Sequence, residues 1–152
     1  MTPVTTGDLL LIVGIAGQRV ALRAAAVDSA IEVEALTPVP LAPVHVAGLT
    51  ALRSRVLTAI DSCRALELAP VARSPARQAA VVVRHEGHHY ALLVDAVEDV
   101  TPALSGLAAL PARMAPGWIR TAAGLIETAE GPLLLIDPGA VIAGPASTKA
   151  AA

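Results

Sequence analysis

The segment His85-Glu86-Gly87-His88-His89 carries the most chemically suggestive spacing in the chain. It satisfies H-E-x-x-H, in which two imidazoles one helical turn apart hold zinc and the glutamate between them serves as base. That chemistry requires a helix. Here Val81-Val82-Val83 precedes and Tyr90-Ala91-Leu92-Leu93-Val94 follows, both strand-like, and Glu86-Gly87 falls where a hairpin turns. The expectation is a polar hairpin tip in water, able to chelate a stray metal ion through neighbouring imidazoles, with a zinc metallopeptidase kept only as a distant alternative.

No other constellation reaches a mechanism. Asp61 and Asp137 form a conceivable carboxylate pair, but each follows a strand-like run and opens a short helix, the position of an N-cap. Asp28, Glu32, Glu34, Glu98 and Asp99 read as solvated acidic faces, which can also dock a basic partner. Ser54, Ser62 and Cys63 have no nearby histidine to activate them and G-x-S-x-G is absent; His45, between Pro43 and Gly48, reads as an ordinary loop residue. Gly14-Ile15-Ala16-Gly17 spans a turn and matches neither a phosphate loop nor a dinucleotide fingerprint. The expectation is a protein that is not an enzyme, with no catalytic residue, no metal ligand and no cofactor.

Composition narrows the partners. The net charge of -2 and an aromatic inventory of Tyr90 and Trp118 alone supply neither a basic footprint nor stacking platforms, so nucleic acid is excluded. At 55% hydrophobic residues and a mean hydropathy of +0.64 the chain looks almost membranous. Yet its longest apolar stretch, Leu9 to Gly17, is far short of the ~20 residues a spanning helix needs, and Asp8 with no preceding Lys or Arg argues against a secretory signal. A cytoplasmic protein without membrane insertion is expected. The single cysteine, Cys63, allows no internal disulfide and reads as a small buried hydrophobe. The apolar excess implies partner surfaces.

The elements that position these residues come twice. Ala47-Gly48-Leu49, ten residues and Ile60-Asp61 recur as Ala123-Gly124-Leu125, ten residues and Ile136-Asp137, and Gly17, Ala21, Leu22, Ala26, Val27 and Asp28 answer to Gly87, Ala91, Leu92, Ala96, Val97 and Glu98. Two copies are too few for a solenoid, so the pattern reads as a duplication into two similar subdomains. Leu9–Ile15 and Arg19–Leu22 make a hairpin, and Arg23 to about Glu32, alanine-rich with Val27 and Ile31 four apart, predicts a short helix. Arg55–Ile60 predicts a strand followed by an Asp61-capped helix to Leu68. In the second half, Ala79–Arg84 and Tyr90–Val94 flank the histidine turn, Asp95 opens a brief helix stopped by Pro102, and residues 105–117 form an irregular loop. Leu133–Ile136 is a strand, then Asp137 and Pro138 open a helix closed by Gly144. Many short strands with Gly and Pro turns predict two closed antiparallel barrels packed together.

The segment from Val46 to Leu68, V-A-G-L-T-A-L-R-S-R-V-L-T-A-I-D-S-C-R-A-L-E-L, resembles the CheW-like family, as do Thr37-Pro38-Val39-Pro40, the run Ala91 to Val100, and Gly124-Leu125 with Leu133 to Asp137. The resemblance covers about residues 9–143. It implies a mainly β fold of two similar SH3-like five-stranded barrels sharing a core, in one domain over 9–143. The halves are roughly 9–78 and 79–143, with exchange of elements between them allowed, a tail at 1–8 and another at 144–152. It also implies a chemotaxis coupling protein, an adaptor between chemoreceptor tips and a CheA-type histidine kinase, or a divergent scaffold in another motility, polarity or signalling assembly. By the same resemblance the partner-binding residues are Arg53 with Leu52, Val27 with Ile31, and Leu93 with Val94. Ala51, Ser54, Thr58 and Ser29 depart from the usual Asn, Gly, Pro and Glu of the family.

Overall fold

The computed structural model describes residues 3–69 and 78–145. The first half contributes β1 (Leu9–Ile15), β2 (Gln18–Arg23), a 3-10 turn at Ala24–Ala26, β3 (Val27–Val33), β4 (Val46–Leu52), β5 (Arg55–Asp61) and α1 (Ser62–Ala65). The second contributes β6 (Gln78–His85), β7 (His88–Val94), β8 (Ala96–Pro102), α2 (Pro116–Thr121), β9 (Ala122–Thr128), β10 (Gly131–Ile136) and α3 (Pro138–Ala143).

The ten strands form two five-stranded sheets, ordered β8-β1-β2-β10-β9 and β3-β6-β7-β5-β4. With each half's strands counted from first to fifth, both sheets run third, first, second, fifth, fourth, and the first and second come from the opposite half. The β1–β2 hairpin is thus seated in the sheet of the second half, and β6–β7 in the sheet of the first. The halves, read from the sequence as roughly 9–78 and 79–143, therefore exchange their hairpins. The expectation of purely antiparallel sheets is corrected: each borrowed hairpin meets a fifth strand in parallel, β2 beside β10 at Ala21↔Leu135 and β7 beside β5 at Ala91↔Ala59. The ladders stay open between third and fourth strands.

Strand alternation feeds three cores. Ala80, Val82, Ala91 and Leu93 face into the second sheet with Val33, Leu57 and Ala59, while Leu10, Ile12, Ala21, Ile126, Leu133 and Leu135 fill the first with Val4, a residue of the N-terminal segment. The intervening residues Val13, Val20, Leu22, Val81, Val83, Leu92 and Val94 meet between the sheets, with Ile60, Ile136 and the Cys63 helix. Central strands apolar on both faces absorb much of the hydropathy that composition assigned to partner surfaces.

Both borrowed hairpins turn on two residues of positive φ, Ala16 (52°) and Gly17 (82°), and Glu86 (50°) and Gly87 (81°), the conformation whose twist suits a two-residue hairpin. The repeated Ala-Gly-Leu has a packing cause. A Cβ at Gly48 would stand 2.6 Å from the Thr37 carbonyl oxygen, and one at Gly124 2.8 Å from that of Ala108. Those residues bridge onto Leu49 and Leu125, so each fourth strand is covered by an incoming loop. Asp61 and Asp137 are N-caps as expected, accepting from Arg64 N and Gly139 N, and α3 ends at Gly144. Arg120 of α2 donates to the carbonyls of Ala65 and Ala140, tying the ends of α1 and α3 together.

Other local expectations fail for identifiable reasons. The helix over Arg23–Glu32 is a 3-10 turn followed by β3, whose burial alternates strictly; a spacing of four fits both a period of 3.6 and a period of two, and pairing with β6 selects the strand. The Asp95 helix is β8, because the Asp95 carboxylate accepts from Gly17 N at 2.7 Å instead of capping. The helix to Leu68 shortens to α1, and α2 occupies the end of the stretch read as loop. Strands β4 and β9 stand outside the strands expected from the sequence. The connection over 69–78 and the tail beyond Gly144 lie mostly outside the described residues.

Candidate functional site

Arg53 and Ser54 form the two-residue turn between β4 and β5, both exposed and both in left-handed conformation, with φ of 53° and 38°. Neither is glycine, so the turn is held against a cost of about 1–2 kcal/mol per residue by the flanking ladder from Leu52↔Arg55 to Leu49↔Thr58. Arg53 makes no ion pair among the described residues. It lines a groove of about 360 Å³ with Asp28, Ser29, Leu52, Ser54 and Arg55, and with the buried residues Leu57 and Val82. This groove is the open seam of the second sheet, where β3 and the β4–β5 turn approach without a ladder.

The six residues singled out for partner contact separate into two groups. Ile31 and Leu52 are half-buried and pack from the two edge strands on the same core cluster, and of the two Leu52 lines the groove with Arg53. Val27 starts β3 and packs on the cluster between the sheets. Leu93 and Val94 are core residues, 4% and 2% exposed, one inside the second sheet and the other between the sheets. As direct contacts they are corrected: β7 is a central strand covered on both faces, and neither side chain reaches a surface.

Sequence reasoning missed the polar group across the seam. His89 Nε2 lies 2.9 Å from Asp28 Oδ2, and Arg55 Nη1 lies 3.2 Å from His89 Nδ1. The same Arg55 Nη1 lies 3.1 Å from His89 Nε2, so the guanidinium sits against both ring nitrogens. The group therefore links β3, β7 and β5. A signal existed in the offset of 70 that pairs Asp28 with Glu98, because the same offset pairs His89 with Arg19, the partner of Glu98.

The H-E-x-x-H letters sit on the β6–β7 hairpin, where opposite residues share a face. His85 pairs with His88 and Arg84 with His89, which places His85 and His89 on opposite faces. His85 packs against α3, where a Cβ at Gly139 would lie 2.7 Å from its ring. Among the described residues no set of three or more His, Cys, Asp or Glu side chains converges as metal ligands. His45 is buried rather than a plain loop residue, its Nε2 2.9 Å from the Ile142 carbonyl and its ring against Gly144.

The sequence model of the CheW-like domain family matches residues 9–145. No curated protein sequence matches the chain. Among solved structures, the scaffolding protein TtCheW from Thermoanaerobacter tengcongensis is similar, with a TM-score of 0.73 at 18% identity, over 86% of this chain and 89% of that one. At that identity the likeness speaks for the two-sheet fold. No helix among the described residues is long and apolar enough to cross a membrane.

Proposed function

The chain belongs to the CheW-like domain family, and from that premise we propose that it is a non-enzymatic adaptor coupling chemoreceptor cytoplasmic tips to a CheA-type histidine kinase. The family is one of scaffolds and adaptors. The observation that carries the reading to a particular surface is Arg53, which has no ion pair among the described residues and stands exposed on a left-handed turn beside the groove between β3 and β4. Strain kept at an exposed turn is a common mark of a functional position. Leu52 supplies apolar surface to the groove with Leu57 and Val82, and Ile31 packs on the same core cluster of the second sheet.

Calorimetric titration against a CheA-type kinase and a receptor-tip fragment tests the reading. Truncating a desolvated interface arginine often costs roughly 2 kcal/mol or more, so Arg53→Ala is expected to weaken binding by at least ~30-fold with the melting transition almost unchanged. Equal affinity for both proteins would remove Arg53 from the interface. The departures at Ala51, Ser54 and Ser29 cluster around Arg53 and favour a second reading, a divergent scaffold for an assembly without chemoreceptors. Failure of the wild-type protein to bind either partner would select it.

A further inference from the structure

The duplication supplies an internal control for the groove at Arg53. In the first sheet the equivalent seam lies between β8 and the β9–β10 turn, which likewise share no ladder, and there ion pairs bridge it. Arg19 of β2 stands at its centre, with its guanidinium 3.1 Å from Glu98 of β8 and 2.9 Å from Glu130 of the turn. The two carboxylates, Glu130 foremost, raise the Arg19 pKa above its ordinary value. Backbone stitches the same seam, with Leu104 N donating to Glu127 O at 2.8 Å and Glu127 N to Ser105 Oγ at 3.2 Å. One cation is matched there by two acids.

Position for position, the second sheet repeats the arrangement with altered charges. His89 stands where Arg19 stands, Asp28 where Glu98 stands, and Ser54 where Glu130 stands. The parallel pairings Ala21↔Leu135 and Ala91↔Ala59 fix the equivalence, since they obey the same offsets of 70 and 76. The His89–Asp28 contact at 2.9 Å reproduces the Arg19–Glu98 link. The second acid has no counterpart. In its place the turn brings Arg53 and Arg55, and the neighbouring β3 position is the neutral Ser29. Among the described residues the seam therefore sets two arginines and an imidazole against one carboxylate, Asp28, the reverse of its twin, and it is a groove where ion pairs bridge the twin.

We propose that the seam of the second sheet is completed in trans by a carboxylate, so that the segment docked at Arg53 is acidic, an Asp- or Glu-bearing peptide strand received between Arg53 and Arg55. The inference rests on the reading of this turn as a partner surface and adds the chemistry of what is bound. The planar fork of arginine suits bidentate capture of a carboxylate, and the twin seam already uses carboxylates for this closure. Leu52 offers an apolar neighbour to the residue beside the acid.

The test is a titration of the isotopically labelled full chain, followed by amide chemical shifts, with hexaglutamate, hexaglutamine and inorganic phosphate at low salt. Hexaglutamate is expected to move the amides of Ser29, Leu52 to Arg55 and His89, an effect that fades at high salt, while hexaglutamine and phosphate leave them in place. Arg53→Gln should weaken hexaglutamate about fivefold, the upper range for an exposed ion pair, and Arg113→Gln, outside the seam, should not. Ser54→Glu, which supplies the missing acid at the position equivalent to Glu130, should weaken it similarly. Ser29→Glu does the same from the β3 side if the strained turn rejects the longer side chain. Shifts spread over unrelated basic residues, equal response to phosphate, or unchanged affinity in Arg53→Gln would overturn the proposal. Hexaglutamate bound at the seam by a protein that binds neither kinase nor receptor would retain the acidic site and remove the coupling function; the converse result would remove only the acidic site.

Discussion

At the scale of single residues, Ser54 is the clearest case of two effects opposed. Its φ of 38° carries a left-handed cost of about 1–2 kcal/mol, which glycine would relieve, while glycine would add about 0.5–1 kcal/mol of unfolded-state entropy. The first term is larger, so Ser54→Gly is expected to raise stability by up to about 1 kcal/mol, read as a higher denaturant midpoint at unchanged slope. Ser54→Val, branched at Cβ, should lower it. Sequence alone showed where Arg53 falls in a recurring segment, and the structure adds that it stands exposed on a two-residue turn. It could not show that Leu93 and Val94 are covered, because an apolar pair in a central strand and one lining a groove spell the same letters. Nor could it reveal the Asp28–His89–Arg55 group, whose members meet only when β3, β5 and β7 are brought together.

At the scale of elements, the repeated glycines are the sharpest test of the packing. Gly48→Ala must place a methyl 2.6 Å from the Thr37 carbonyl oxygen at a φ of 150°, so it is expected to cost about 2–4 kcal/mol, combining overpacking with backbone strain. Gly124→Ala meets Ala108 O at 2.8 Å without the positive φ and should cost about 1–3 kcal/mol. Chemical denaturation of both variants checks the ranking, and two neutral substitutions would remove the covering loops as the cause of the repeated Ala-Gly-Leu. The hairpins, the capped α1 and α3 and the polar histidine tip were legible because turns and caps are written in local chemistry. Strand β3 was not, since Val27 and Ile31 four apart satisfy both periods and only the neighbour β6 decides. The Asp95 helix failed for a like reason: a capping residue was claimed by the distant Gly17 amide.

At the scale of the whole molecule, the exchange of hairpins makes each half a fragment without its own central strands. Residues 1–69 and 70–152 produced separately are expected not to fold as monomers, and to regain strand signal and a cooperative transition when mixed in equal amounts, as read by circular dichroism and size-exclusion chromatography. A half that unfolds cooperatively as a monomer would contradict the exchanged order. The duplication itself was visible in sequence, but the offsets are the same whether each hairpin stays home or crosses over, so the crossing was not. The crossing has a consequence on the ribosome. Strand β3 leaves the exit tunnel long before β6 and β7, its neighbours, have been made. At about 5–20 residues per second, the strands of the first half wait several seconds for the hairpin that will lie between them. Nascent β3, β4 and β5 therefore spend that interval as open edges, and the polar charges along β3, Asp28 and Glu32, stand where they would discourage two growing chains from pairing with each other.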